Sequence, residues 1–152
     1  MATTRREFLA AGGAAPVALV ALGAQSGSRE LTMDEKANVK VVNDFSAAWA
    51  TGDASTIASH LSEDAVFRFS RDGDTVTGGR GALQTQLESG FENMRSIEFD
   101  VLETFSAGPL VANLRVDYIT NTDGERNGIR VAGVFYLKDG KIVEWIDAIV
   151  PA

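Results

Sequence analysis

The stretch LRVDYI, Leu114 to Ile119, sets Arg115 and Asp117 two residues apart in a run that is otherwise aliphatic or aromatic. Side chains alternate along a strand, so in extended backbone the two share a face. Further on, EWIDAIV carries Asp147 among apolar residues, with Glu144 as the nearest charge before it and none after. A carboxylate in such a strand costs several kcal/mol unless it is paired or protonated. Arg115 is the natural partner, because the donors of a guanidinium can bridge two carboxylates. That arrangement is a chemical device. Repulsion and desolvation keep a proton on one carboxyl near neutral pH while the other is ionised. One is then a general acid and the other a general base, able to push on a water and pull on a leaving oxygen in one step.

Everything depends on which face Arg115 takes. Val111, Asn113, Arg115, Asp117 and Ile119 share one face; Ala112, Leu114, Val116 and Tyr118 share the other. Pattern alone allows a half-solvated surface pair or a pocket wall. The last strand tips the balance. Trp145, Asp147 and Ile149 face one way and Ile146, Ala148 and Val150 the other, and both sets are apolar apart from Asp147. A strand of that kind is expected to be covered on both sides, which buries Asp147 either way. Its neighbour, RVAGVFYL, is apolar apart from its first residue and places small Ala132 and Gly133 where space is needed. Arg115 and Asp117 are therefore expected to face inward, toward Asp147.

The elements that must position these residues can be read in order. MDEKANVKVVNDFSAAWATGD (33–53) has Val41, Val42, Phe45, Ala48 and Trp49 at helical spacing, with Asp34 as cap and Gly52 as stop. DASTIASHLSED predicts a short second helix capped by Asp53 and ending near Ser62. AVFRFSRDGDTVTG alternates Val66, Arg68 and Ser70 against Ala65, Phe67 and Phe69, with a turn at Asp72–Gly73. RGALQTQLESGFENM predicts a third helix with Leu83, Leu87, Phe91 and Met94 on one side, forming the wall of a pocket or its backing. After Ser96 the chain reads as four strands with turns at Gly108–Pro109, Asp123–Gly124 and Asp139–Gly140. Helices first and hairpin-linked strands after them spell an α+β fold. Three helices against a curved antiparallel or mixed sheet form a cone whose pocket is lined by the concave face. Trp145, on the same face as Asp147, either lines that pocket or packs in the core. His60 reads as a surface or capping residue, and the glycine-rich GDTVTGGRGA as a hairpin and helix entry.

Composition sets the limits. The chain has 152 residues, 45% hydrophobic and 23% charged, enough for one domain and one core. A net charge of −7 with no basic run gives no footing for nucleic acid or anionic lipid. The absence of cysteine excludes thiol catalysis, disulfides and cysteine-ligated metal, and the single His60 excludes a histidine-rich metal site. No cysteine-based or histidine-rich metal site is expected.

Residues 1–26 read as an export signal of the twin-arginine type, with a charged start, an apolar middle and a small-residue end. TRREFL places Arg5–Arg6 before Phe8 and Leu9. The apolar run from Ala14 to Ala24 is too short to span a bilayer core of roughly 30 Å. Cleavage is expected near Gly23 or Ala24, leaving 27–152 as a single domain with no membrane segment. The precursor's partner would be the twin-arginine export machinery, and the mature protein would be periplasmic or extracellular.

From about Glu35 to Asp147 the sequence resembles the limonene-1,2-epoxide hydrolase family, within the wider NTF2-like (SnoaL-like) cone fold. The likeness is densest in SIEFDVLETF, LRVDYI and GVFYLKDGKIVEWID, and rests on the Arg-x-Asp pair followed by the Trp-x-Asp ending. It implies cofactor-independent hydrolysis of a small hydrophobic epoxide. Asp117 would protonate the epoxide oxygen, Asp147 would deprotonate the attacking water and Arg115 would bridge them. The pocket would be lined by Phe67, Phe69, Leu83, Leu87 and Trp145. A homodimer paired through the sheet is implied as well.

One departure matters. The family holds its water with a tyrosine and an asparagine; a register slipped by one would put Arg68 there, and otherwise Phe67 and Phe69 stand in those places here. Neither offers a hydrogen bond. Three readings stay open on the sequence: an epoxide hydrolase, a cyclase or ketone isomerase using the same acid–base pair, and a binding protein for a hydrophobic molecule.

Overall fold

The computed structural model describes residues 29–69 and 74–151. The expected export signal over 1–26 and the turn at Asp72–Gly73 lie outside the described residues.

Three helices pack on one curved, unclosed, mixed sheet of six strands. Helix α1 spans Met33–Ala48 and continues as a 3₁₀ turn over Trp49–Thr51. Helix α2 (Ala54–Ala58) and strands β1 (Leu61–Phe69) and β2 (Asp74–Val76) follow, then α3 (Gly79–Phe91). The chain ends in β3 (Met94–Ala107), β4 (Leu110–Asn121), β5 (Arg126–Lys138) and β6 (Lys141–Ile149). The strand order is β2-β1-β6-β5-β4-β3, with β1 and β6 parallel and every other pair antiparallel. This is the expected α+β cone. Among the described residues no helix is long and apolar enough to cross a membrane.

Helix α1 starts two residues earlier than expected. Its cap is Thr32, not Asp34. The Thr32 hydroxyl accepts from the Glu35 N–H at 3.2 Å and the Glu35 carboxylate accepts from the Thr32 N–H at 2.9 Å, a reciprocal box that satisfies two orphan donors. Gly52 ends the segment in the left-handed region (φ 64°), as the sequence suggested. Asp53 caps α2 through the Ser55 N–H at 2.9 Å, but that helix stops at Ala58 rather than near Ser62, because Leu61 already pairs with Ile142 in the sheet. Helix α3 also ends early. Met94 belongs to β3, captured by pairing with Asn121. Gly79, the first residue of α3, lets the helix approach β1 closely: a Cβ there would stand 1.9 Å from the Glu63 carbonyl oxygen.

The core lies between α1, α2 and the concave face. Phe45 is fully buried, with its ring edge-on to Trp145 (5.1 Å), Phe135 (5.8 Å) and Trp49 (6.0 Å). Burial of one such side chain stabilises the fold by about 1.5–3 kcal/mol. Strand β4 alternates strictly, with Val111, Asn113, Arg115 and Asp117 buried and the residues between them half-buried. The two faces of β6 differ from expectation. Trp145 and Asp147 are buried, while Ile146 and Ala148 on the convex face are only half-buried in the single chain.

Candidate active site

Arg115 is fully buried and points to the concave side, so the inward reading is the correct one. Its Nε donates to Asp117 Oδ1 at 2.7 Å and its Nη2 to Asp117 Oδ2 at 3.2 Å, while Nη2 also donates to Asp147 Oδ2 at 2.7 Å. Its Nη1 donates to Asn113 Oδ1 at 3.1 Å. The guanidinium lies over the Phe99 ring, 4.3 Å from the centroid. To reach Asp147 on β6 from β4, the arginine must cross β5. Gly133 stands in register with both Asn113 and Asp147 and leaves the opening.

Asp147 is held from a second side. The Trp145 indole Nε1–H donates to its Oδ1 at 2.8 Å. Each carboxylate oxygen of the pair therefore has a fixed donor, and the planar geometry leaves lone pairs free toward the cavity.

The electrostatics follow from burial. Desolvation pushes the Asp117 carboxyl up to about 6, against the pull of Arg115. Desolvation also raises Asp147, opposed by Arg115 and by the Trp145 N–H. Burial works against the charge on Arg115, yet the two carboxylates outweigh it and hold the guanidinium above the ordinary arginine value. One arginine cannot neutralise two carboxylates. A single proton on the pair makes the trio neutral, which is the state a desolvated site favours.

Asp117 and Asp147 open onto a cavity of about 280 Å³ between α3 and the sheet. Its wall is apolar and aromatic: Leu83, Leu87 and Phe91 from α3, Met94, Ile97 and Phe99 from β3, Phe67 from β1, Trp145 from β6 and Trp49 after α1. Of the residues expected in the pocket, Phe67, Leu83, Leu87 and Trp145 line it. Phe69 does not. It pairs in register with Asp147 at the end of β1, with its ring 6.5 Å from that of Phe67. His60 lies away from the cavity, edge-on to Phe45 at 6.2 Å, and burial lowers its pKa.

Several contributors, Ile97 among them, were not singled out for this site by the sequence reading. Asn113 shares the inward face two residues before Arg115, which was a usable signal. Phe99 alternates inward on an edge strand, and Trp49 had been assigned to core packing alone. Among the described residues, Gln86, three residues after Leu83 on α3, is the one uncharged polar side chain on the cavity wall. Among the described residues, no group of three or more His, Asp or Glu side chains is placed to hold a metal ion.

Solved structures place the fold. An LEH-like epoxide hydrolase from M. tuberculosis superposes with a TM-score of 0.69 at 22% identity, over 76% of this chain and 84% of that one. A putative SnoaL-like polyketide cyclase from Shewanella denitrificans gives 0.67 at 15% identity, over 74% and 90%. A hypothetical protein of ketosteroid isomerase-like fold from Catenulispora acidiphila, in complex with trimethylamine, gives 0.66 at 15% identity, over 72% and 84%. No curated protein matches the chain. The family model described as the SnoaL-like domain matches residues 42–145, more than half of the sequence. With its cone of three helices on an open six-stranded sheet, the chain belongs to the SnoaL-like domain family.

Proposed function

We propose that the protein adds water to a small hydrophobic epoxide, giving a diol in one step without a cofactor. The observation that carries this reading is Arg115 bonded to both Asp117 and Asp147 at the wall of an apolar cavity. Asp147 takes a proton from a water as that oxygen attacks an epoxide carbon. The carbon–oxygen bond of the ring breaks, and Asp117 gives its proton to the departing oxygen. One water is consumed, and the proton gained by Asp147 must return to Asp117 before the next turnover. The cavity volume, at the small end for ligand sites, suits a compact substrate.

A second reading keeps the trio and changes the nucleophile. Phe67 lines the wall beside Trp145, where a hydrogen-bonding side chain would be needed to hold water, and Phe69 is level with Asp147. A hydroxyl on the substrate itself, placed by binding, would then open the ring to a cyclic ether.

The test is product analysis in oxygen-18 water with a panel of hydrophobic epoxides, run beside Asp117→Asn. Labelled diol that disappears in the variant supports the hydrolase; unlabelled cyclic product from hydroxy-epoxides supports the cyclase; no turnover with either sinks both.

The convex face supports a homodimer paired through the sheet. Ala112, Val134 and Ile146 lie in register across β4, β5 and β6, as do Leu114, Ala132 and Ala148, and all are half-buried in the single chain. Light scattering on wild type and Val134→Glu tests it: a dimer mass that falls to the monomer in the variant is expected. The N-terminal layout supports export by the twin-arginine route to the periplasm or the outside. Changing Arg5 and Arg6 to lysine is expected to leave the precursor uncleaved inside the cell.

A further inference from the structure

Asp117 and Asp147 share one arginine but are not equivalent. Asp117 receives both of its side-chain hydrogen bonds from Arg115. Asp147 receives one from Arg115 and a second from Trp145, on its own strand. That second donor is held rigidly. Trp145 is 4% exposed, with its ring 4.2 Å from Phe67, 5.1 Å from Phe45 and 5.6 Å from Trp49. An indole N–H donates and never accepts, so the oxygen it meets must always present a lone pair. The ionised carboxylate does so in every orientation, while a protonated one does so only with the proton turned away.

We propose that Trp145 is a positioning residue whose N–H fixes Asp147 as the ionised member of the pair and so leaves the shared proton on Asp117. This rests on the acid–base reading above and adds the group that decides which carboxyl plays which part. It also supplies, from the base's own strand, some of the alignment that Phe67 and Phe69 cannot give through water. The charged groups that face Asp147 are Arg115 and Asp117 from β4. Its register neighbours, Gly133 on β5 and Phe69 on β1, carry no charge. Glu144 is turned to the other face, where it accepts from Arg68 at 2.6 Å. No other titratable group among the described residues lines the cavity.

The experiment is a carboxyl-carbon NMR titration of aspartate-labelled protein, wild type beside Trp145→Phe, which keeps a ring and removes the donor. In the wild type Asp147 is expected to ionise at lower pH than Asp117, with the Trp145 Nε1 proton shifting through the Asp147 transition. In Trp145→Phe the Asp147 midpoint rises by about one pH unit, the effect of losing one hydrogen bond to the charged form. If a diol-forming epoxide has been found, the acid limb of its kcat profile moves up with it while KM changes little. Unmoved midpoints in a folded Trp145→Phe overturn the proposal. So does a wild-type Trp145 Nε1 proton that ignores the titration, a result available even where the variant does not fold. Shifted midpoints with no diol from any epoxide leave the role of Trp145 standing and remove the hydrolase.

Discussion

Gly133 lies beneath the guanidinium of Arg115: a Cβ at that position would stand 2.3 Å from Nη1, 2.8 Å from Asn113 Oδ1 and 2.9 Å from the Phe135 ring. Nothing at those distances can give way cheaply, because Arg115 is fully buried and bonded on three sides. The missing side chain of β5 is thus what lets an arginine of β4 reach an aspartate of β6.

Gly133→Ala is therefore expected to push the guanidinium off Asp147 while leaving the sheet paired. Overpacking of this kind costs about 1–3 kcal/mol of stability. If Asp147 is the base proposed above, misplacing it by about 1 Å costs about 100-fold in kcat. Circular dichroism melts and turnover on the same preparation check both. A variant with wild-type kcat would mean that the Arg115–Asp147 bond does not set the rate.

The pH dependence has a definite sign. Desolvation raises Asp117 to about 6, so in the proposed role of general acid it loses its proton above that pH. kcat/KM is expected to fall about tenfold per pH unit on the alkaline side of 6. Stability runs the same way. A folded-state value above the unfolded one gives stability that is complete below the ordinary aspartate range and lost as pH rises through about 6, by ~3 kcal/mol for Asp117 alone. Asn at that position mimics the protonated acid at every pH. The melting temperature of Asp117→Asn relative to wild type should accordingly be lowest near pH 4, where both carry a neutral side chain, and rise toward pH 8. A variant that gains nothing on wild type between pH 4 and pH 8 would contradict a proton held on Asp117.

The trio was legible in the sequence because an isolated carboxylate in an apolar strand demands a cation, and the alternation of β4 offered only one on the right face. Gly133 was legible as a gap before it was known what filled it. Asn113 was not, since a neutral amide on an inward face fits a pocket or a wet edge equally well. Trp49 and Phe99 escaped for another reason: periodicity reports which side is buried, and a cavity wall and a solid core are buried alike. The end of α3 was overrun because Met94 continues the helical spacing, and only its pairing with Asn121 claims it for the sheet. The cap of α1 was legible in principle, as Thr32 and Glu35 have the spacing of a reciprocal box.

Glu35 makes a buried tie outside the site. Though only 4% exposed, it accepts from both terminal nitrogens of Arg29 (2.9 and 2.7 Å), from the Thr32 N–H and from the Gly108 N–H at 2.8 Å. Hydrogen bonding to Arg29, then to the Gly108 and Thr32 backbone, holds its carboxyl well below the usual glutamate range. A depressed folded-state value gives stability that is present above the unfolded value and lost as pH falls through the folded one. Arg29→Ala leaves this carboxylate short of its cation, whereas Arg126→Ala breaks an exposed pair with Glu98. The first is expected to lower the melting temperature at pH 7 clearly more than the second, and equal shifts would refute the clamp. Cleavage of an export signal near Gly23 or Ala24 would preserve Arg29.

The phenylalanines at 67 and 69 give the sharpest test of how water is handled. Phe67 is in register with Trp145 and Phe69 with Asp147, so a polar group at either position would stand next to one of those two residues. The double variant Phe67→Tyr, Phe69→Asn adds a hydroxyl at the cavity wall and an amide beside Asp147. Its rate of oxygen-18 diol formation is expected to exceed that of wild type by about 10–100-fold, the usual scale for aligning a reacting group. Adding Asp117→Asn should return the rate to background, which separates true catalysis from a leaky pocket. If a hydroxy-epoxide is cyclised by wild type, the double variant should divert it to diol, because bound water then competes with the internal hydroxyl. An unchanged rate in a folded double variant would mean that Arg115 and Trp145 already align Asp147 well enough for a water held by nothing else.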